Sequence, residues 1–347
     1  MAAASSTARA QARDRNAPPD PRRAWRRFAV RVAAGIALLI VLLLFLPLDE
    51  LRAAFSRVPP GVFAGAIAIY LGLHLIGATK WRIVVNASGA GMGWLYAVRF
   101  YYAGLFGNTF LPSIIGGDVV RAGLALRHVR SKTGLVLGSV VDRLVDILGL
   151  AAVAGLGVML IPSALDERSR RIFTGLFLVF AVAAGGAILG GIVLLRRGLP
   201  FRIRRRIAKL RTAARSMAER PWVVLASFLM GMILQTSLVV VAAWLGRLAG
   251  IDASLRVWLF VWPLAKISAL VPITQGGLGV REAAQAVLFA PFGVSAVLAV
   301  AASLLFQGVI ISGGLIGGLL SFLMGRRDRE AMSSTAVASG AYATREP

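Results

Sequence analysis

The sequence predicts an all-α polytopic integral membrane protein, with about six full transmembrane helices and two re-entrant helical hairpins forming an inverted repeat. Three observations carry this. First, 58% of the 347 residues are hydrophobic and the mean hydropathy is +0.76, above the roughly 45–50% apolar content of a soluble domain. Second, the formal charge of +24 is concentrated in arginine blocks between apolar runs, the pattern of cytoplasmic loops under the positive-inside rule. Third, the pattern P-x-x-x-G-G-x-x-V-R occurs twice, at residues 112–121 and 272–281.

Composition also excludes several chemistries. The chain has no cysteine and only His74 and His128, so disulfides, thiolate metal sites, cysteine nucleophiles and histidine-rich metal sites are ruled out. No metal or cofactor is expected. Nucleic acid is not an expected partner, because no aromatic-interleaved basic face or binding motif accompanies the arginines.

In chain order, residues 1–27 are rich in Ala, Ser, Pro and Arg and read as a disordered cytoplasmic tail. A first span over 28–48 runs outward. It approaches the ~20 residues needed to cross and lacks a small-x-small cleavage site, so it is read as a retained helix rather than a signal peptide. A connector at 49–57 leads to a second span over 60–79, which returns to Lys80 and Arg82 at the cytoplasmic end. His74 within it reads as a hydrogen-bonded packing residue rather than a proton relay.

The run 94–111 enters the first motif and is followed by Arg121, Arg127, His128, Arg130 and Lys132. A full crossing would export that basic cluster; a hairpin turning back at 112–117 keeps it inside. Spans over 133–161 and 172–195 follow. They lead to residues 196–220, with ten Arg or Lys and one Glu, which the hairpin reading keeps cytoplasmic. Ile203, Ile207, Leu210, Ala214 and Met217 recur there at helical spacing, so residues 199–219 are expected to lie on an anionic leaflet.

The second half repeats the plan. A span over 222–245 goes out, residues 258–289 form a second hairpin entered from outside, and a span over 295–324 comes in. The domain scheme is a tail (1–27), a transmembrane domain (28–325, with halves 28–195 and 222–325 and a basic linker 196–221) and a disordered cytoplasmic tail (326–347). Both termini are cytoplasmic.

Proline and paired glycines break an apolar helix and free backbone groups, which lipid tolerates only where protein or a wet cavity receives them. Two such breaks near the midplane point to a transporter's substrate site. The candidate residues are Asn108, Pro112, Gly116, Gly117, Asp118 and Arg121 at the first break, and Lys266, Pro272, Gly276, Gly277, Arg281 and Glu282 at the second. Each break is followed by a half-helix whose N-terminus and arginine suit an anion. Asp142, Arg143 and Asp146, inside an apolar span, join the set, because charges at that depth face a cavity or a partner. Lys266 and Arg99 are expected to line the same cavity. Asp118 can pair with Arg121, and Glu282 can pair with Arg281 or bridge the hairpins. Whether these charges bind substrate or only neutralise one another stays open at this level. Gly185-Gly186, Gly190-Gly191 and Gly317-Gly318 read as helix-packing contacts.

Asn108-x-x-Leu111-Pro112-Ser113-x-x-Gly116-Gly117-Asp118-x-x-Arg121, Asp142-Arg143 and Pro272-x-x-x-Gly276-Gly277-Leu278-Gly279-x-Arg281-Glu282 resemble the lysylphosphatidylglycerol synthase transmembrane-region family. The resemblance covers residues 28–325. It implies a flippase-like protein of the bacterial inner membrane that moves a phospholipid or other lipid between leaflets, with anionic membrane lipids as partners. Hopanoid or glycolipid pathways are also implied for relatives, so a separate lipid-modifying enzyme is a further implied partner. The family's aminoacyl-transferring synthase has a large soluble catalytic domain; here the sequence given ends soon after the last expected span and the loop 196–220 is too short to be that domain, so lysyl transfer is not expected. The chain is therefore read as a transporter and not an enzyme. A membrane-embedded lipid-modifying enzyme, or a lipid-binding partner of a separate synthase, is the alternative.

Overall fold

The computed structural model describes residues 46–110, 116–161, 219–269 and 277–343, with isolated positions at 30–44 and 212–216 and side chains as far as Arg326. Most of the expected span 28–48, the expected span 172–195, nearly all of the linker 196–221, and the hairpin tips with Pro112, Pro272 and Gly276 lie outside the described residues. Among the described residues the regular structure is helical throughout.

In order, the helices are α1 (Leu48–Ser56), α2 (Pro60–Ala87), α3 (Trp94–Phe110), α4 (Gly116–Ala125), α5 (Lys132–Met159), α6 (Pro221–Ala249), α7 (Leu255–Ser268), α8 (Val280–Phe289) and α9 (Ala296–Ala343). Their ends have local causes. Pro60 and Pro221 occupy first-turn positions of α2 and α6, where the missing N–H has no helical role. The Ser131 side chain accepts from Gly134 N at 3.0 Å and caps α5. Gly250, at φ +111°, ends α6 in the left-handed region.

Three described helices are long and apolar enough to cross a membrane: Pro60–Ala87, Pro221–Ala249 and Ala296–Arg326. Helix α5 matches α2 at 28 residues but carries Asp142, Arg143 and Asp146. By contrast α3 has 17 residues, α7 has 14, and α4 and α8 have 10 each. At ~1.5 Å per residue each of these is shorter than a ~30 Å hydrocarbon core.

The short helices pair as two antiparallel hairpins. In α3/α4, Asn108 lies opposite Gly117, and Gly104 lies opposite Gly117 and Arg121. In α7/α8, Ala269 packs on Gly277 and Trp258 meets Phe289 edge-on at 4.8 Å. Helix α9 acts as a ruler for both. Moving along α3 from Arg99 to Phe106 to Thr109, the facing residues on α9 are Gly325, Gly318 and Gly314. On the other half, Arg281 of α8 reaches Ser303 and Gln307, and the turn 290–295 brings the end of α8 to the start of α9. The described arms of the two hairpins therefore lie along opposite halves of α9, the first reaching Gly314 and the second Gln307.

Small residues permit the close crossings. Gly134 and Gly138 of α5 lie against the backbone of Ser88 and Val85 in α2, with no room for a Cβ. Gly318 packs on Phe106, as expected for that glycine pair; the other two pairs lie outside the described residues. The main apolar core lies among α6, α7, α8 and α9 around Trp258, Phe260, Phe289 and Phe306.

Three boundaries differ from the sequence reading. The connector 49–57 is helical as α1, with Asp49 and Glu50 in its first turn after Pro47, where carboxylates favour the helix dipole. Arg57 Nη1 ties its end to Ala249 O at 3.2 Å. Helix α2 continues past residue 79 to Ala87, so Lys80 lies within the packed bundle at 0% exposure rather than at a cytoplasmic end. The length of α9 is the third difference: the helix runs on to Ala343 through the stretch expected as a disordered tail, where Ala331, Ala336, Ala338 and Ala341 favour helix.

Candidate functional site

The first hairpin is fastened by its own motif. Gly117 N donates to Asn108 Oδ1 at 2.9 Å, which satisfies a free donor in the first turn of α4. A Cβ on Gly117 would collide with the Gly104 carbonyl and the Asn108 side chain, so the paired glycines allow the arms to touch. Gly116 and Gly117 are both buried.

This contact sets Asp118 and Arg121 toward α5. Arg121 Nη2 lies 3.0 Å from Asp118 Oδ1 in its own helix and 2.9 Å from Asp142 Oδ2. Its guanidinium stands over the rings of Trp81 at 4.9 Å and Tyr101 at 5.2 Å, contacts that favour a desolvated cation. Lys80 Nζ pairs with Asp142 Oδ1 and lies 3.0 Å from Asp146 Oδ1. Arg143 Nη1 approaches Asp118 Oδ2 at 3.6 Å and is the most open member, with a side chain 32% exposed. Three cations thus face three carboxylates, with Asp142 at the centre and fully buried. Such a network is costly to desolvate and survives only when each charge is matched.

The second hairpin carries a smaller knot. Arg281 Nη2 lies 2.6 Å from Glu282 Oε1 and 2.8 Å from Gln307 Oε1, and its Nε is 3.3 Å from Ser303 Oγ. Ser303 Oγ donates to Glu282 Oε1 at 3.0 Å, and Gly279 N donates to Glu282 Oε2 at 2.6 Å. Gly277 and Gly279 have φ of +75° and +79°, so glycine is what lets the chain turn into α8. Of the two roles the sequence allowed Glu282, the structure shows pairing with Arg281, together with capping of α8 through the Gly279 N–H; among the described residues it does not bridge the hairpins. Lys266, in the last turn of α7, donates to Gln235 Oε1 at 2.9 Å and sits 4.8 Å above the Trp262 ring.

Between the described arms of the two hairpins lies a cavity of ≈ 530 Å³. The first hairpin contributes Asn108, Gly117, Asp118 and Arg121; the second contributes Lys266, Ala269, Leu278 and Arg281; α5 adds Arg143 and Asp146. The rest of its wall is mostly apolar, with Leu150, Leu234, Leu238, Phe306 and Ile310. Eight residues chosen from sequence therefore line one cavity. Asp142 and Glu282 are not in the wall; they sit behind it and hold the arginines. Gly116, which opens α4, and Gly277, at φ +75° before α8, are not in the wall either. Arg99 does not reach the cavity, because the α3/α9 register sets it beside Gly325.

His74 both packs and lines the cavity. Its Nδ1 contacts Tyr70 O at 2.7 Å and its ring lies 4.1 Å from Tyr70. Sequence reading missed Lys80, Gln235, Trp262, Ser303 and Gln307. Lys80 was masked by its position near the expected end of a span. Gln235 and Gln307 did leave a signal, since amides deep in an apolar run need a polar partner. Among the described residues no group of three His, Asp or Glu is arranged to hold a metal ion.

A helical bundle with membrane-length helices and a charged cavity between broken hairpins defines a polytopic membrane protein. The chain belongs to the lysylphosphatidylglycerol synthase transmembrane-region family, whose model matches residues 32–318. A UPF0104 membrane protein of Methanothermobacter thermautotrophicus is 23% identical over 299 residues, covering 79% of this chain and 88% of that relative. No solved structure matches the chain. The family ties the protein to a lipid-related membrane function.

Proposed function

We propose that the protein is a lipid transporter that moves a lipid with an anionic headgroup between the two leaflets. The observation that carries this reading is that the arms of two hairpins, on opposite halves of α9, line one cavity with charged residues and a largely apolar wall. Discontinuous helices around a central site are the usual machinery of alternating access. A cavity of this size falls in the ~300–1,000 Å³ range of ligand pockets; it takes a headgroup while the acyl chains stay in the bilayer.

In this reading the hairpins are re-entrant and enter from opposite faces, so the halves form an inverted repeat with six full crossings. The protein resides in the bacterial inner membrane with both termini cytoplasmic, and residues 199–219 rest on the anionic leaflet. The enzyme reading is disfavoured by the same geometry. Asp142, fully buried, is held by Lys80 and Arg121, so it is a poor general base. The test is the purified protein in vesicles carrying labelled phosphatidylglycerol in one leaflet, with transbilayer movement as the readout. Movement well above empty vesicles supports the proposal. Binding without movement would leave a lipid-binding partner of a separate synthase, and turnover of lipid with a donor would overturn the transport reading.

A further inference from the structure

Most charges around the cavity are already matched. Lys80, Arg121 and Arg143 face Asp118, Asp142 and Asp146, and Arg281 faces Glu282. Lys266 is different. Among the described residues no carboxylate lies within ion-pair distance of it, and its contacts are the Gln235 amide oxygen at 2.9 Å and the Trp262 ring at 4.8 Å. Both partners are neutral, so they aim the ammonium without cancelling its charge. The C-terminal turn of α7 favours a cation there, yet supplies only a partial charge. A cation at membrane depth with no counter-charge is expensive and marks a place that a ligand completes.

We infer that Lys266 is the residue that holds the negative charge of the cargo, a phosphodiester or comparable monoanion, with Gln235 and Trp262 fixing its ammonium at the cavity wall. This rests on the transport reading above. It also gives that reading a selectivity. The described charges at the site comprise five cations and four carboxylates, leaving one net positive charge for the cargo to neutralise. A monoanionic headgroup satisfies that balance. A zwitterionic one brings a second cation into the cavity and gains less.

The experiment is equilibrium binding to the full purified chain in detergent, followed by titration calorimetry. The probes are short-chain phosphatidylglycerol, its phosphatidylcholine counterpart, and inorganic phosphate. Wild type is expected to prefer the phosphatidylglycerol at least tenfold over the phosphatidylcholine. Lys266→Gln should weaken phosphatidylglycerol binding at least tenfold and level that preference, while Lys266→Arg, which keeps the charge, should retain it. Inorganic phosphate that binds as tightly as the lipid, and is lost in Lys266→Gln, would support the clamp but assign it to a soluble phosphate. Wild-type affinity for phosphatidylglycerol in Lys266→Gln, or no preference in the wild type, overturns the inference. Should Lys266→Gln fail to fold, Gln235→Leu is measured in its place: a severalfold loss supports the clamp, and unchanged affinity overturns it. Selective binding without transbilayer movement would sink the transport reading and leave the clamp standing.

Discussion

Arg121 in the short arm of the first hairpin and Asp142 in the middle of α5 are joined at 2.9 Å, with Asp142 fully buried. The contact locks a helical half-arm to a long helix by charge rather than by apolar packing. Because Lys80 engages the other Asp142 oxygen, one carboxylate joins three elements, α2, α4 and α5. The cavity's cationic wall is therefore built on a residue that the cavity itself does not expose.

Removing that carboxylate should cost stability before it costs function. Asp142→Asn leaves three cations facing two carboxylates, one uncompensated buried charge that costs on the order of 3–5 kcal/mol, and is expected to lower the unfolding midpoint sharply in detergent. The double variant Lys80→Met with Asp142→Leu leaves Arg121 with Asp118, and Arg143 and Asp146 still balance in count. It should be less destabilised than the sum of the two single variants, as a thermal-shift cycle will read. Additive losses would mean that the two residues do not act as a pair.

The glycines of the first break can be separated by one methyl group. Gly117→Ala drives a Cβ into the Gly104 carbonyl and Asn108, and is expected to destabilise by about 1–3 kcal/mol. Gly123, seven residues from the start of the same helix, has nothing within 4 Å of the added Cβ. Gly123→Ala should be neutral or stabilising by roughly 0.5–1 kcal/mol, since alanine is the better helix former. Equal effects in the two variants would remove the close-approach explanation.

Much of this site was legible in sequence because breakers and charges are conspicuous in an apolar chain. Gly117, Asp118, Arg121, Asp146 and Arg281 each interrupt a run that would otherwise continue, and each lies at the cavity wall. What sequence did not reveal is which charge stands behind the wall. Asp142 and Asp146 occupy one helical face, four residues apart, and only the register of α5 against α2 decides that Asp142 meets Lys80 and Arg121 while Asp146 meets the cavity. In sequence Lys80 sits just past the end of the expected span 60–79, and nothing local announces that α2 continues to Ala87. The places of the long helices were readable from apolar runs, though not where α2 and α9 end; the α9 contacts that hold the two hairpins were not readable, because they depend on small residues such as Gly314 and Gly318 meeting particular side chains.

Topology is open to a direct measurement, because the chain has no cysteine. Arg127 follows the first hairpin and Ser254 precedes the second, and both are exposed. With the hairpins on opposite halves of α9, Arg127→Cys and Ser254→Cys are expected to react with an impermeant maleimide from opposite sides of sealed vesicles. A Lys209→Cys variant in the basic linker should label with Arg127→Cys. Labelling of positions 127 and 254 from one side would remove the opposed-hairpin arrangement and the alternating-access reading built on it.

Arg281 tests whether the second knot serves the fold or the cavity. It is the cavity-facing member, whereas Glu282 keeps Ser303 and the Gly279 N–H as partners without it. Arg281→Ala should therefore leave the protein inserted and folded while transbilayer lipid movement falls by an order of magnitude or more. Glu282→Ala is expected to do the reverse in emphasis, lowering the melting temperature first, because it removes the cap of α8 and strands Arg281; losing a capped, buried carboxylate costs about 1–3 kcal/mol. Arg281→Lys keeps the charge but not the planar fork that spans Glu282, Gln307 and Ser303, and should restore only part of the movement. Wild-type movement in Arg281→Ala would reassign the whole knot to structure, and leave Lys266 as the cation through which the second hairpin meets its cargo.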